Sequence, residues 1–99
     1  MGTFHEDGDE LHGLTVVVFS NGPRTYVGRW DKREGGFALI RDAGYHEEGV
    51  SDQSRDEWLR QQKTYGVKVE HPYLTIPEAE ITEVVMLRQV QLPEERKPA

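Results

Sequence analysis

The sequence predicts a mainly β fold: a small, strongly bent barrel of five short strands, with one short helix inserted between strands 3 and 4. Three observations predict it. Short apolar stretches rich in β-branched residues recur along the chain, LTVVVF and ITEVVMLRQV being the clearest, and such side chains suit a pleated surface. Turn residues follow the early strands closely. Gly28 interrupts the second strand, as glycine does where a strand bends sharply or another backbone comes close. Small sheets hide their edges by bending until the strands meet.

Strand 1 is Leu14 to Phe19, apolar on both faces, so both faces should be covered. Ser20-Asn21-Gly22-Pro23 is a turn cluster in which Asn-Gly supplies positive φ at little cost. Arg24 to Lys32 is strand 2. Glu34-Gly35-Gly36 makes a second tight turn, and Phe37 to Asp42 is strand 3. Three strands joined in this way form a meander.

Residues 43–66 then break the pattern and read as a loop-helix insertion. Ser54 and Glu57 fit a capping box, so a helix runs from there to about Lys63, with Gly66 as its stop. Asp56 and Arg60 form an i,i+4 pair in the favourable order. Val67 to Thr75 is strand 4, with Pro72 marking a bend or an edge. Ile76-Pro77-Glu78-Ala79-Glu80 is one tight helical turn, and Ile81 to Val90 is the last strand. The expected core is Leu14, Val16, Val18, Val27, Leu39, Ile40, Val67, Val69, Ile76, Ile81, Val84 and Leu87.

Composition narrows the function classes. The chain has 99 residues, 18 acidic against 12 basic, a net charge of −6 and no cysteine. One domain fits this length. Disulfides, thiolate zinc sites and cysteine nucleophiles are excluded. No apolar run is long enough to span a bilayer, and MGTFHEDGDELHG has no signal-peptide character, so the expectation is a cytoplasmic protein without membrane contact. The organisation is a mobile acidic arm over 1–13, a barrel over 14–92 and a disordered tail over 93–99.

The charge is uneven. The arm carries Glu6, Asp7, Asp9 and Glu10 with no Lys or Arg. Residues 24–41 hold Arg24, Arg29, Lys32, Arg33 and Arg41 against only Asp31 and Glu34. With Tyr26 and Trp30 this hairpin has the composition of a nucleic-acid face, since aromatics stack on bases and arginines track phosphates. It is equally the composition of a half-buried strand with solvated arginines.

Chemistry-bearing clusters are few. His5 to His12 gathers two imidazoles and four carboxylates, but matches no calcium loop, and a free arm must lose entropy to close on an ion. It reads as solvated, so no metal site is assigned. His46-Glu47-Glu48 has no nucleophile beside it. There is no phosphate loop, HExxH or GxSxG. A non-enzymatic protein without a cofactor is expected.

The chain resembles the Sm-like (LSm) family of SH3-like small barrels. LTVVVF, Asn21-Gly22, the bending Gly28, Glu34-Gly35-Gly36 and FALI leading into Asp42-Ala43 follow the first half of the family pattern. Ile76, Ile81 and Val84 stand at offsets of the second half. The likeness covers 14–43 and 67–88 and implies the barrel and ring assembly. In that family an Asn before strand 3 and an Arg in the second motif hold a uracil base. Here Gly35, Gly36 and Phe37 occupy the Asn region, while Pro77 and Glu78 stand where the Arg and its Gly would be.

The expected function is therefore an oligomeric assembly or protein-interaction module. Edges of the first-half and last strands would pair with neighbours, motivated by the valines on both faces of strand 1 and the apolar run Val84–Leu87. Trp58, Leu59, Val84 and Met86 are the candidate partner-binding residues, and the 43–66 insertion would choose the partner. The alternative is an RNA or single-stranded nucleic-acid module using Arg24, Tyr26, Arg29, Trp30, Lys32, Arg33 and Arg41.

Overall fold

The computed structural model describes residues 11–92. The acidic arm up to residue 10 and the tail 93–99 lie outside the described residues. The chain forms β1 (Thr15–Ser20), β2 (Arg24–Glu34), β3 (Phe37–Glu47), α1 (Arg55–Tyr65), β4 (His71–Pro77) and β5 (Ile81–Met86). One antiparallel sheet joins the strands in the order β4-β3-β2-β1-β5. The expected mainly β architecture, with its helix between strands 3 and 4, is present. Among the described residues, no helix is long and apolar enough to cross a membrane.

The turns explain the hairpins. Gly35 and Gly36 both have positive φ, 62° and 84°, as a primed two-residue turn requires. The β1–β2 turn differs from expectation, because neither Asn21 nor Gly22 has positive φ. Ser20 organises it instead. Its hydroxyl accepts from the Gly22 N–H at 3.2 Å and donates to the Arg24 carbonyl at 2.6 Å.

β3 runs to Glu47, beyond the expected end at Asp42. The register explains why the sequence hid this: Val27 pairs with Gly44 and Arg29 with Arg41, so one position on β2 faces two on β3. Asp42 takes φ 49° at this bulge. The extra residue resets the inside–outside alternation, so Ala38, Ile40 and then Ala43 all reach the core. Strand 4 starts later than expected, at His71, and Val69 is exposed. Strand 5 ends at Met86 and turns through a tight helical turn, Leu87–Gln89.

Two apolar clusters hold the molecule. The inner one joins Val16, Val18, Tyr26, Trp30, Ala38, Ile40, Ala43 and Ile76. The second lies on the other face of β1 and β2, where Val17 and Val27 pack with Leu59 of α1 and with Leu87, Val90 and Leu92. The two faces of strand 1 are thus covered within the chain. Of the expected core, Leu14 and Val69 are exposed, and Leu39, Val67, Ile81 and Val84 are only half-buried.

α1 starts as its sequence dictates. Ser54 Oγ accepts from the Glu57 N–H at 3.1 Å, and Gly66, at φ 93°, donates its N–H to the Gln62 carbonyl to end it. Its docking is fixed by Leu59, which is buried, and by Gln62, whose Oε1 accepts from the Lys68 N–H at 2.9 Å.

Candidate nucleic-acid interface

The sheet brings the two family-motif turns together at one end of the barrel. The Glu78 N–H donates to the Gly36 carbonyl at 2.9 Å. The Arg33 guanidinium lies 3.6 Å from the Glu78 carboxylate. A guanidinium therefore does reach this corner, but from β2 and already facing a carboxylate. The corner holds no asparagine, and Pro77 offers no donor there.

The predicted basic-aromatic hairpin divides between core and surface. Trp30 is 1% exposed and Tyr26 7%, so neither ring can stack on a base. Their expected part in such a face is overturned by burial in the inner cluster. The cause is alternation: Trp30 and Tyr26 point inward, and Arg29 points outward.

The cations are largely matched within the fold. Arg24 Nε donates to Glu47 at 3.2 Å and its guanidinium lies 4.2 Å from the centre of the Tyr45 ring, itself stacked on His71. Lys32 pairs with Glu34 at 2.9 Å, and this hydrogen bond raises its pKa. Arg41 Nε donates to Asp31 at 3.0 Å, which raises the Arg41 pKa through that bond and the adjacent charge. Arg29 makes no ion pair among the described residues.

Two of the expected arginines join a third residue, Tyr73, which the sequence does not single out. Across the sheet, Arg29 of β2 pairs with Arg41 of β3, and Arg41 with Tyr73 of β4. Tyr73 is 54% exposed, and the Arg41 guanidinium lies 5.0 Å from its ring centre. Only the β3–β4 register, which the sequence does not show, places Tyr73 beside this arginine.

The partner-binding candidates also separate. Leu59, on the inner face of α1, is buried and unavailable to a partner, since it fills the second cluster. Trp58 is half-buried and tilted against His46, with ring centres 5.7 Å apart. Val84 packs on the inner cluster, and Met86 lines an open groove with Leu14 and Val67. His46, considered for acid/base work, is 3% exposed and donates from Nε2 to the Gln53 carbonyl at 2.7 Å. That bond ties the 48–54 loop to β3. Among the described residues, no cluster of three or more His, Cys, Asp or Glu could hold a metal.

No family model matches the chain, and no curated protein matches it. Solved structures do. The Sm protein of Pyrococcus abyssii in complex with a uridine heptamer is similar with a TM-score of 0.54 and 10% identity, over 83% of this chain and 94% of that one. The SmAP (LSm) protein of Methanococcus vannielii is similar with a TM-score of 0.54 and 13% identity, over 87% and 100%.

Proposed function

We propose that this chain, whose fold is that of the Sm-like proteins, is a non-enzymatic subunit of an oligomeric assembly. The observation carrying this reading is the strand order. β1 is interior to the sheet, between β2 and β5, so the free edges belong to β4 and β5. The free edge expected in the first half of the chain is absent, because β1, β2 and β3 are all interior to the sheet. Two unpaired edges on one sheet invite pairing between copies. Joining the β5 edge of one copy to the β4 edge of the next is head-to-tail, and such contacts close into a ring when the rotation allows. The apolar faces of β1 no longer support this reading, because α1 and residues 87–92 cover the outer one.

Binding of RNA or single-stranded nucleic acid is the second reading. It is favoured by the likeness to a protein bound to a uridine heptamer and by Arg29, which is exposed and makes no ion pair among the described residues. Light scattering combined with the ultraviolet absorbance spectrum of the purified full chain tests both. A multimer is expected; a single monomeric species at micromolar concentration would sink the assembly reading. Retained nucleic acid, seen as excess absorbance at the nucleotide maximum, would favour the second.

A further inference from the structure

We infer that the outer row Arg29–Arg41–Tyr73 and the cleft beside it form a site for single-stranded nucleic acid, away from the Gly36–Glu78 corner. This rests on the nucleic-acid reading above and gives it a location.

Three observations converge. The cleft, of about 370 Å³, is lined by His12, Gly13, Arg29, Trp30, Asp31 and Arg41. Its two guanidiniums outnumber its one carboxylate. Asp31 is the hub: Oδ2 accepts from Arg41 Nε at 3.0 Å, and Oδ1 lies 3.6 Å from His12 Nδ1. The Asp31 side chain is only 11% exposed, whereas that of Arg41 is 48% exposed. The carboxylate thus sits behind the arginine and holds it outward. The Arg41 guanidinium bonds Asp31 and Tyr73, and the remainder of its five N–H donors is left for a phosphate oxygen. Trp30 belongs to the inner cluster, so it supplies a wall rather than a contact.

The second half of the site is Tyr73. It is exposed on β4, and Arg41 lies over its ring. An exposed ring next to cations is the arrangement that stacks a base while its phosphate is held nearby. A single strand fits better than a duplex, because only unstacked bases offer a free face to a ring. Edge pairing of β4 with another copy leaves this site open, since side chains stand off the sheet faces.

The corner is the poorer candidate. There Glu78 already faces Arg33, and Glu80 and Glu34 lie close in sequence to the same turns. A phosphate entering it would meet carboxylates.

The test uses the full chain, a short fluorescein-labelled single-stranded RNA of mixed sequence, and anisotropy across a salt series. Tyr73→Ala is expected to weaken binding roughly tenfold or more, whereas Tyr73→Phe, which keeps the ring, stays near wild type. Arg41→Gln is expected to lower the salt slope by about 0.7, the loss of one phosphate contact on a single strand. A structural role for Arg41 would leave the salt slope unchanged, and one for Tyr73 would lower the urea midpoint of Tyr73→Ala together with its affinity, whereas that midpoint is expected to stay near wild type for this exposed side chain. Arg88→Ala, on another part of the surface, should bind as wild type. Full affinity in Tyr73→Ala and Arg41→Gln, with loss in Arg33→Ala, would overturn this location and keep the nucleic-acid reading. No binding by the wild type at low salt would overturn both. Tighter binding of a glutamate-rich peptide than of RNA would assign the row to a protein partner and overturn the proposal.

Discussion

The backbone N–H of Glu78 meets the carbonyl of Gly36 at 2.9 Å, binding the β4–β5 turn to the β2–β3 turn. Neither residue belongs to a strand, yet this bond lies where the sheet's two ends approach each other. Replacing Glu78 with Pro isolates it, because proline has no N–H but suits the first position of a tight helical turn. Pro77, at ψ 129°, is already extended, as a residue before proline should be. The expected loss is ~1 kcal/mol, read as a lower urea midpoint. Glu78→Gln should change stability by less than ~0.5 kcal/mol, since it removes only a half-exposed ion pair.

Gly28 is required by space. A Cβ there would lie 2.8 Å from the Ala43 Cβ, 3.0 Å from the Arg41 carbonyl and 3.1 Å from Ile40 Cδ1. Two of those three atoms cannot swing away without moving β3. Gly28→Ala should therefore destabilise the fold by ~1–3 kcal/mol. Calorimetry should show a lowered Tm, with the β2–β3 pairing most affected in hydrogen exchange.

The start of α1 depends on one hydroxyl. Ser54→Ala removes the acceptor for the Glu57 N–H and should cost ~1 kcal/mol, while Ser54→Asp should restore most of it. Because α1 covers Val17 and Val27, the loss should appear as added binding of a hydrophobic dye at sub-denaturing urea, and not in helix content alone.

His46 is predicted to be structural. His46→Phe keeps a ring against Trp58 but leaves the Gln53 carbonyl without its donor. It also removes Nδ1, which is buried with no partner. These effects oppose each other, so the net cost should be ~1 kcal/mol. His46→Ala adds a cavity and should cost ~3 kcal/mol. Urea denaturation separates the two, and equal midpoints would refute the packing role.

Much of the fold was legible because local chemistry and global form agree. Gly35-Gly36, Ser54 and Gly66 each do what their type demands, and Val16, Val18, Ile40 and Ile76 lie in the core as alternation predicts. What remained hidden depends on contacts distant in sequence. The bulge at Asp42 exists because β2 and β3 must bend together at Gly28, and it shifts the phase of AGYHE so that a strand resembles a loop. Val69 alternates well but follows the helix before pairing begins, so it faces water. The composition of residues 24–41 groups Trp30 and Tyr26 with the arginines, but one-residue alternation puts the two rings inward and Arg29 outward. Tyr73 stands next to Pro72, and nothing in the sequence marks it as a neighbour of Arg41. Its place beside Arg41 is set by a pairing between residues far apart in the chain.

The strand order also bears on how a nascent chain must behave. β1 leaves the ribosome well before one of its neighbours, β5, with Val17 paired to Val85. Until then β1 is an unpaired edge, and Val17 and Val27 lack Leu87, Val90 and Leu92 above them. Such an intermediate is prone to associate with its own kind. Translation that stalls before residue 81 would release a chain that aggregates, so completion of β5 is the step that takes β1 out of reach of other copies and leaves only the edges of the finished sheet to meet them.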